Sequence, residues 1–358
     1  MKQQSILLVW DRIGDYHLTR VKACAEIMDG ALYTADLAGS DALYKWDSIV
    51  QKNHYILSTK PVETSDLWNR FKAFRKIIKI HSIDTVAMPY GYTEYLVFLL
   101  YARLNGIKTI VFCESWYTRG KVKDFFKSLL LKSIGNRFFV SGQRAYEHLI
   151  HSYHIQAGKI MQGYSVVDNN HFERIQKTEH NHTKKQLLCV ARYSKEKNIE
   201  FLIRCFAKST IHKTHTLLLV GDGPCKAELQ ALIHSLSMQD SIELKGWVTY
   251  AELPAIYESA TGFVLPSTFE PWGLVVNEAM AAGLPILLSD ACGCVPDLVE
   301  EGKNGWLFNP SDEAACISIL NTFGTLTEMD REEMGNYSKS RIQLFSPNTW
   351  ASTLIHVE

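Results

Sequence analysis

Short apolar runs of Val, Ile, Leu and Phe alternate along the chain with longer stretches in which apolar residues recur every three or four positions. Unbroken apolar runs suit strands buried on both faces, and the longer pattern suits helices that cover them, so the chain reads as β-α-β units built around parallel sheets. The first half predicts strands at 6–10, 55–58, 85–88, 109–113 and 137–140, with helices near 66–81, 93–105, 119–134 and 143–152. The rhythm restarts with strands at 187–191, 216–220, 242–244, 261–265 and 285–289. Between the halves, Asp168, Asn169, Asn170, His180, Asn181 and His182 mark a polar stretch without apolar periodicity. The expected organisation is an N-terminal Rossmann-like domain at 1–165, a linker at 166–186, a second Rossmann-like domain at 187–346, and a C-terminal helix at 347–358 that packs back on the first domain. The fold class is α/β, two Rossmann-like domains facing across a cleft, and open sheets of this kind bind ligands at the carboxyl ends of their strands.

A length of 358 residues suits two domains, and 46% apolar with 21% charged residues is the balance of a water-soluble globular chain. No apolar run approaches the roughly 18 residues needed to span a bilayer, and the N-terminus lacks a long apolar region with a cleavage site, so the expectation is a cytoplasmic protein. Eight scattered cysteines form no CxxC pair and read as reduced core thiols. Net charge is zero, but residues 1–165 carry 22 basic and 14 acidic side chains, against 16 and 24 in 166–358. An anionic partner for the first half fits this asymmetry, and nothing in it asks for nucleic acid.

The densest chemistry lies at Phe269-Glu270-Pro271-Trp272-Gly273-Leu274-Val275-Val276-Asn277-Glu278. This segment follows a strand and opens a helix, whose unpaired N–H groups at Gly273 and Leu274 suit a phosphate. Glu270 and Glu278 flank that anion site and fit hydroxyl groups, one set on a sugar and one on a ribose. Arg192 at a strand end and Lys197 at the next helix start supply two fixed cations for one diphosphate. Gly221-Asp222-Gly223-Pro224 is a tight turn in which glycines allow backbone approach to a ligand, and Trp247 with Val248 offers a face to a nucleobase.

These stretches resemble the retaining glycosyltransferases of the GT-B fold, family 4 type, closely over 185–320 and loosely before it. Glu270 and Glu278 match that family's two glutamates seven residues apart, Arg192 and Lys197 its phosphate-binding pair, and Gly283-Leu284-Pro285 with Glu300-Glu301-Gly302-Lys303-Asn304-Gly305 match further segments. The resemblance implies a hexose-type sugar moved, with retention, from a nucleotide diphosphate sugar, UDP-sugar first among donors, to a hydroxyl of a glycan, a glycolipid or a small molecule. The nucleotide sugar is a co-substrate and no cofactor is implied. The chain has no Asp-x-Asp for a bridging metal, so side-chain cations take that work and no metal site is expected. A sugar-nucleotide epimerase and a catalytically silent nucleotide-sugar-binding partner are the alternatives on the same scaffold.

In the first half, Asp11-Arg12-Ile13-Gly14-Asp15-Tyr16-His17 occupies the family's glycine-rich loop, with Gly14 brought to the donor and Tyr16 and His17 toward the acceptor. Many members carry a histidine where this chain has Glu114-Ser115-Trp116, which makes Glu114 a candidate base and Ser115 and Trp116 candidate acceptor contacts. Tyr90, Tyr92 and Glu94 at another strand end are acceptor candidates too. His148, His151 and His154 read as an exposed helix face. Basic, aromatic segments at 68–76 and 121–132 suit either ordinary amphipathic packing or contact with an anionic membrane surface, which would hold the enzyme at the inner membrane face beside a lipid-linked acceptor.

Overall fold

In the computed structural model, residues 4–39, 52–118, 120–173 and 185–356 are described, Lys121 as backbone only. His180, Asn181 and His182 of the expected linker lie outside them. The chain divides into two compact units, one of Met1–Val166 with Pro347–Glu358 and one of Val167–Ser346.

In the first unit the elements run β1 (Gln4–Trp10), α1 (Asp15–Ile27), β2 (Gly30–Asp36), β3 (His54–Ile56), α2 (Leu67–Ile80), β4 (Thr85–Met88), α3 (Thr93–Leu104), β5 (Lys108–Cys113), α4 (Lys121–Ile134), β6 (Arg137–Val140), α5 (Gln143–His151) and β7 (Ile160–Gln162). The strands form one parallel sheet in the order β3-β2-β1-β4-β5-β6-β7. β4 is TVAM, buried at every position, the composition of a strand covered on both faces. Helices α2, α3, α4 and α5 cover one face, where Phe74, Phe98, Leu131 and Leu149 join Val86, Val111 and Phe138 in one core cluster.

In the second unit the elements are α6 (Asn169–Phe172), β8 (Lys185–Val190), α7 (Ile199–Lys208), β9 (His215–Val220), α8 (Lys226–Ser235), β10 (Ile242–Gly246), α9 (Leu253–Ser259), β11 (Gly262–Leu265), α10 (Leu274–Ala281), β12 (Ile286–Ser289), α11 (Val295–Leu298), β13 (Gly305–Phe308), α12 (Glu313–Thr325) and α13 (Glu328–Ile342). Its parallel sheet has the order β10-β9-β8-β11-β12-β13. Close packing uses glycine where a side chain would collide: a Cβ at Gly262 would stand 2.3 Å from the Phe323 ring of α12. The last helix, α14 (Pro347–Ile355), packs on α1 in the first unit, with Trp350 fully buried against Phe112 and Phe139.

Both sheets are therefore Rossmann-like, as the apolar pattern predicts. Among the described residues β2, β7, β13, α1, α6, α12 and α13 were not anticipated. All eight cysteines are free and buried, and burial pushes the Cys24 thiol up to about 12, which keeps it an unreactive core group.

Candidate active site

In the second unit the strand order reverses between β8 and β11, so the loops leaving these two strands bracket the place where such sheets take ligands. The β8 loop holds Arg192 and a short 3-10 turn, Lys195–Lys197, followed by Asn198 in left-handed backbone at φ 56. Asn198 donates from Nδ2 to the Pro266 carbonyl at 3.2 Å, and Thr268 donates its N–H to the Glu196 carbonyl at 2.9 Å. These bonds tie the β8 loop to the β11 loop. Their consequence is an ion pair between the Lys197 ammonium and the Glu270 carboxylate, with side chains 20% and 13% exposed.

Glu270 is fixed from behind as well. It forms a parallel bridge with Cys292, and its carbonyl accepts from the Gly293 N–H at 2.9 Å. Gly273, at φ 103, turns the chain into α10, and a Cβ there would lie 3.3 Å from Glu270 Cγ. The glutamate side chain thus rests against the start of α10, where the Val276 N–H already donates to the Gly273 carbonyl at 2.9 Å and the N–H of Leu274 precedes the intrahelical ladder. A cation, a carboxylate and a helix start share one spot.

Arg192 is exposed on the same sheet edge. With Lys197 it adds to the effect of the Ser194 hydroxyl in holding the Glu196 carboxyl below its ordinary value. The Arg192 loop rests on the Gly221-Asp222-Gly223 turn: the Tyr193 N–H donates to the Asp222 carbonyl at 2.9 Å, and Tyr193 Oη donates to the Leu219 carbonyl at 2.8 Å. Here the sequence reading needs correction. A Cβ at Gly221 would stand 2.0 Å from the Ala191 carbonyl oxygen, and one at Gly223 2.5 Å from that of Tyr193. The glycines admit the neighbouring loop of this same chain.

Glu278 is fully buried on α10, and its Oε2 accepts from the Tyr257 hydroxyl of α9 at 2.6 Å. Trp272 lies in the loop between β11 and α10. Its ring is 3% exposed, donates from Nε1 to Asn277 Oδ1 at 2.8 Å and packs on Phe345, so it anchors the loop and presents no open face. Trp247, by contrast, is 58% exposed after β10, with Val248 and Pro271 half-buried on the sheet edge. Asn198, Thr268 and Tyr257 escaped the sequence reading. Asn198 had the only available signal, a residue tolerant of left-handed backbone directly after Lys197.

The first unit repeats the reversal between β1 and β4. The loop after β1 is pinned by the Ile13 N–H donating to Asp36 Oδ1 at 2.9 Å, and by Tyr95 Oη donating to Asp11. Gly14 precedes α1 at φ −116, a conformation open to any residue, and its N–H donates to His17 Nδ1 at 3.1 Å. Burial and then the Arg20 charge hold the His17 pKa well below the ordinary histidine value, so the neutral ring keeps the lone pair this bond needs. Tyr16 beside it is half-buried.

After β4, Tyr90 lies under the Lys127 ammonium at 4.7 Å, and Tyr92 is exposed. Glu94 is not presented to solvent: it is buried and accepts from Arg70 Nη1 at 2.7 Å, tying α3 to α2. After β5, Glu114 is exposed and accepts from the Ser165 hydroxyl at 3.1 Å, Ser115 is half-buried, and Trp116 stacks under Arg144 at 4.7 Å. Of the three histidines read as one exposed face, His148 is buried edge-on to Tyr153 at 4.6 Å, and His154 lies past the end of α5 in left-handed backbone. Among the described residues no group of three or more His, Cys, Asp or Glu is placed to hold a metal ion, and no helix is long and apolar enough to cross a membrane.

Residues 170–341, which contain the whole of this β8–β11 site, match the family model described as glycosyl transferases group 1. This segment is similar to the group 1 glycosyltransferases. The chain is 38% identical over 138 residues to the sulfoquinovosyl transferase of Arabidopsis thaliana, an overlap of 37% of this chain and 25% of that protein. It is 37% identical over 131 residues to the alpha-monoglucosyldiacylglycerol synthase of Acholeplasma laidlawii, 35% of this chain and 32% of that one. The chain therefore spans about a quarter to a third of the length of these relatives. The fold extends further than the sequence match: Anabaena HepE, solved with UDP and glucose, superposes with a TM-score of 0.76 over 98% of both chains at 17% identity. The chain thus has the GT-B fold, two Rossmann-like domains in one chain.

Proposed function

We propose that the protein transfers a hexose-type sugar, with retention, from a nucleotide diphosphate sugar to an acceptor hydroxyl, without a metal ion. The observation that carries this is the Lys197–Glu270 pair resting on the start of α10, inside the segment matched by the family model. An arriving diphosphate competes for Lys197, and the carboxylate it leaves turns to the hydroxyls of the transferred sugar. Arg192, Lys197 and the amides of Gly273 and Leu274 then stabilise the charge that develops on the departing diphosphate. Glu278 holds the ribose with its carboxylate oriented by Tyr257, and Trp247 with Val248 takes the base. UDP is the favoured carrier, since the superposing HepE structure holds it.

Retention places the acceptor oxygen on the face the leaving group vacates: the new C1–O bond forms as the bond from C1 to the diphosphate oxygen breaks, and the acceptor proton passes to that oxygen. Tyr16, His17, Tyr90, Tyr92, Ser115 and Trp116 are the proposed acceptor contacts and Glu114 the group that orients the attacking hydroxyl, while Glu94 serves indirectly by fixing α3. The test is a panel of nucleotide sugars screened by thermal shift, followed by transfer assays on Arg192→Ala and Glu270→Ala. Each is expected to lose about a hundredfold in turnover, the usual cost of one lost transition-state contact, with the melting temperature unchanged. Unchanged turnover in either would overturn the assignment. Conversion of donor without any acceptor would point to an epimerase, and binding without transfer or hydrolysis to a silent partner.

A further inference from the structure

Helix α4 carries apolar residues on both sides: Leu131 and Ile134 are fully buried in the core, and a second apolar set faces outward. Its inward positions include Asp124 and Ser128, both buried, whereas Val122, Phe125, Phe126 and Leu129 are 70%, 66%, 63% and 60% exposed. An ordinary packing helix places its apolar stripe inward, which accounts for Leu131 and Ile134 but not for the exposed set. The inward polar groups are provided for within the unit: Ser128 donates to the Tyr153 carbonyl, and Asp124 sits beside the buried His148, whose pKa burial lowers and Asp124 raises. The apolar outward face is therefore a stable feature of the fold.

The neighbouring helix α3 also has exposed leucines, Leu100 and Leu104. Beside Phe125 and Leu129 runs an open groove of about 480 Å³, with Lys132 and His151 on its walls. The surrounding charge has one sign. Segment 119–132 contains five basic residues and one acidic residue, Asp124, and Lys123 and Lys132 are exposed among the apolar side chains. Lys127 turns the other way, onto the ring of Tyr90 at the end of β4.

We infer that α4 is a docking surface for an anionic lipid bilayer, with Phe125, Phe126, Val122 and Leu129 entering the interface and Lys123 and Lys132 pairing with headgroup phosphates. Aromatic and aliphatic side chains on one face of a helix, bordered by lysines, are what an interfacial helix requires, and basic residues near an anionic surface add attraction that salt weakens. The exposed apolar cluster alone would fit a protein partner, but the lysine border selects a surface of negative charge. Because Lys127 joins the helix to Tyr90, docking would bring a membrane-borne acceptor next to the proposed acceptor residues. The docking itself rests on α4 alone and not on the donor reading.

The experiment is co-sedimentation of the full chain with phosphatidylcholine vesicles, with and without phosphatidylglycerol. The wild-type chain is expected to bind the anionic vesicles and to be released by high salt. Phe125→Ser/Phe126→Ser should weaken binding more than tenfold, on the order expected for removing two buried aromatic side chains, and Lys123→Glu/Lys132→Glu should abolish the preference for phosphatidylglycerol. Melting temperatures close to wild type would show that both variants fold, and thermal shift by nucleotide sugars reports the donor site separately. Absence of wild-type binding to either vesicle, binding that both variants retain, or self-association in sedimentation velocity that the serine variant abolishes would each overturn the proposal. The last outcome would assign the patch to a second copy of the chain.

Discussion

Single residues here act through what stands directly against them. Gly221 combines φ 145 with a 2.0 Å approach to the Ala191 carbonyl oxygen. Gly221→Ala must displace the loop that carries Arg192, so it should cost about 2 kcal/mol or more of stability in denaturant titration and lower turnover as well, whereas a purely structural glycine would leave turnover per folded molecule unchanged. Tyr257 is a second case. Tyr257→Phe leaves the buried Glu278 carboxylate without its 2.6 Å donor, a loss of about 1–3 kcal/mol that should raise the Michaelis constant for donor if Glu278 holds the ribose. An unchanged constant would show that the pair serves only to join α9 to α10. Neither environment was readable from the sequence, because Leu-Pro-Ala-Ile-Tyr-Glu-Ser marks no partner for its tyrosine, and a glycine in a turn does not say whether a ligand or a neighbouring strand comes close.

At the scale of elements, legibility followed burial. β4, β6 and β11 are buried at nearly every position, and such runs stand out in the chain. β2 was missed because only three of its seven residues are buried, in a mixture ending Thr34, Ala35, Asp36. β7 has three residues and none fully buried, and α1 buries Arg20 along with Val21 and Cys24, which blurs its stripe. Arg70 is the same difficulty in α2: a charged residue reads as outward, yet this one is wholly buried, giving Nη1 to Glu94 at 2.7 Å and Nη2 to the Pro61 carbonyl at 2.8 Å. Arg70→Met should cost about 3–5 kcal/mol in urea unfolding, since it strands a buried carboxylate at the start of α3. The double variant Arg70→Met/Glu94→Gln should recover part of that loss, and no recovery would mean that the contact to the Pro61 loop, not the ion pair, carries the cost.

For the molecule as a whole, acid sensitivity follows from histidines held neutral inside each unit. His215 in β9 is fully buried against Phe323, and burial, followed by the charges of Lys185 and Arg331, lowers its pKa from 6.5 to about 4. His17 in the first unit is lowered in the same direction. A folded-state pKa below the unfolded one means that between about pH 4 and 6.5 the unfolded chain binds more protons, so stability is full above pH 6.5 and falls as the pH drops through this window. For His215 the loss approaches about 3 kcal/mol by pH 4. Its Nδ1 faces the Thr214 hydroxyl at 2.8 Å and its Nε2 has no hydrogen-bond partner, so protonation gains nothing inside the core that would offset the charge. His215→Asn keeps a polar atom toward Thr214 and removes the titration. Melting temperatures of the two proteins, measured from pH 7 down to pH 4.5, should therefore converge or cross as the wild type loses the histidine contribution, and parallel curves would show that the acid transition belongs to other groups.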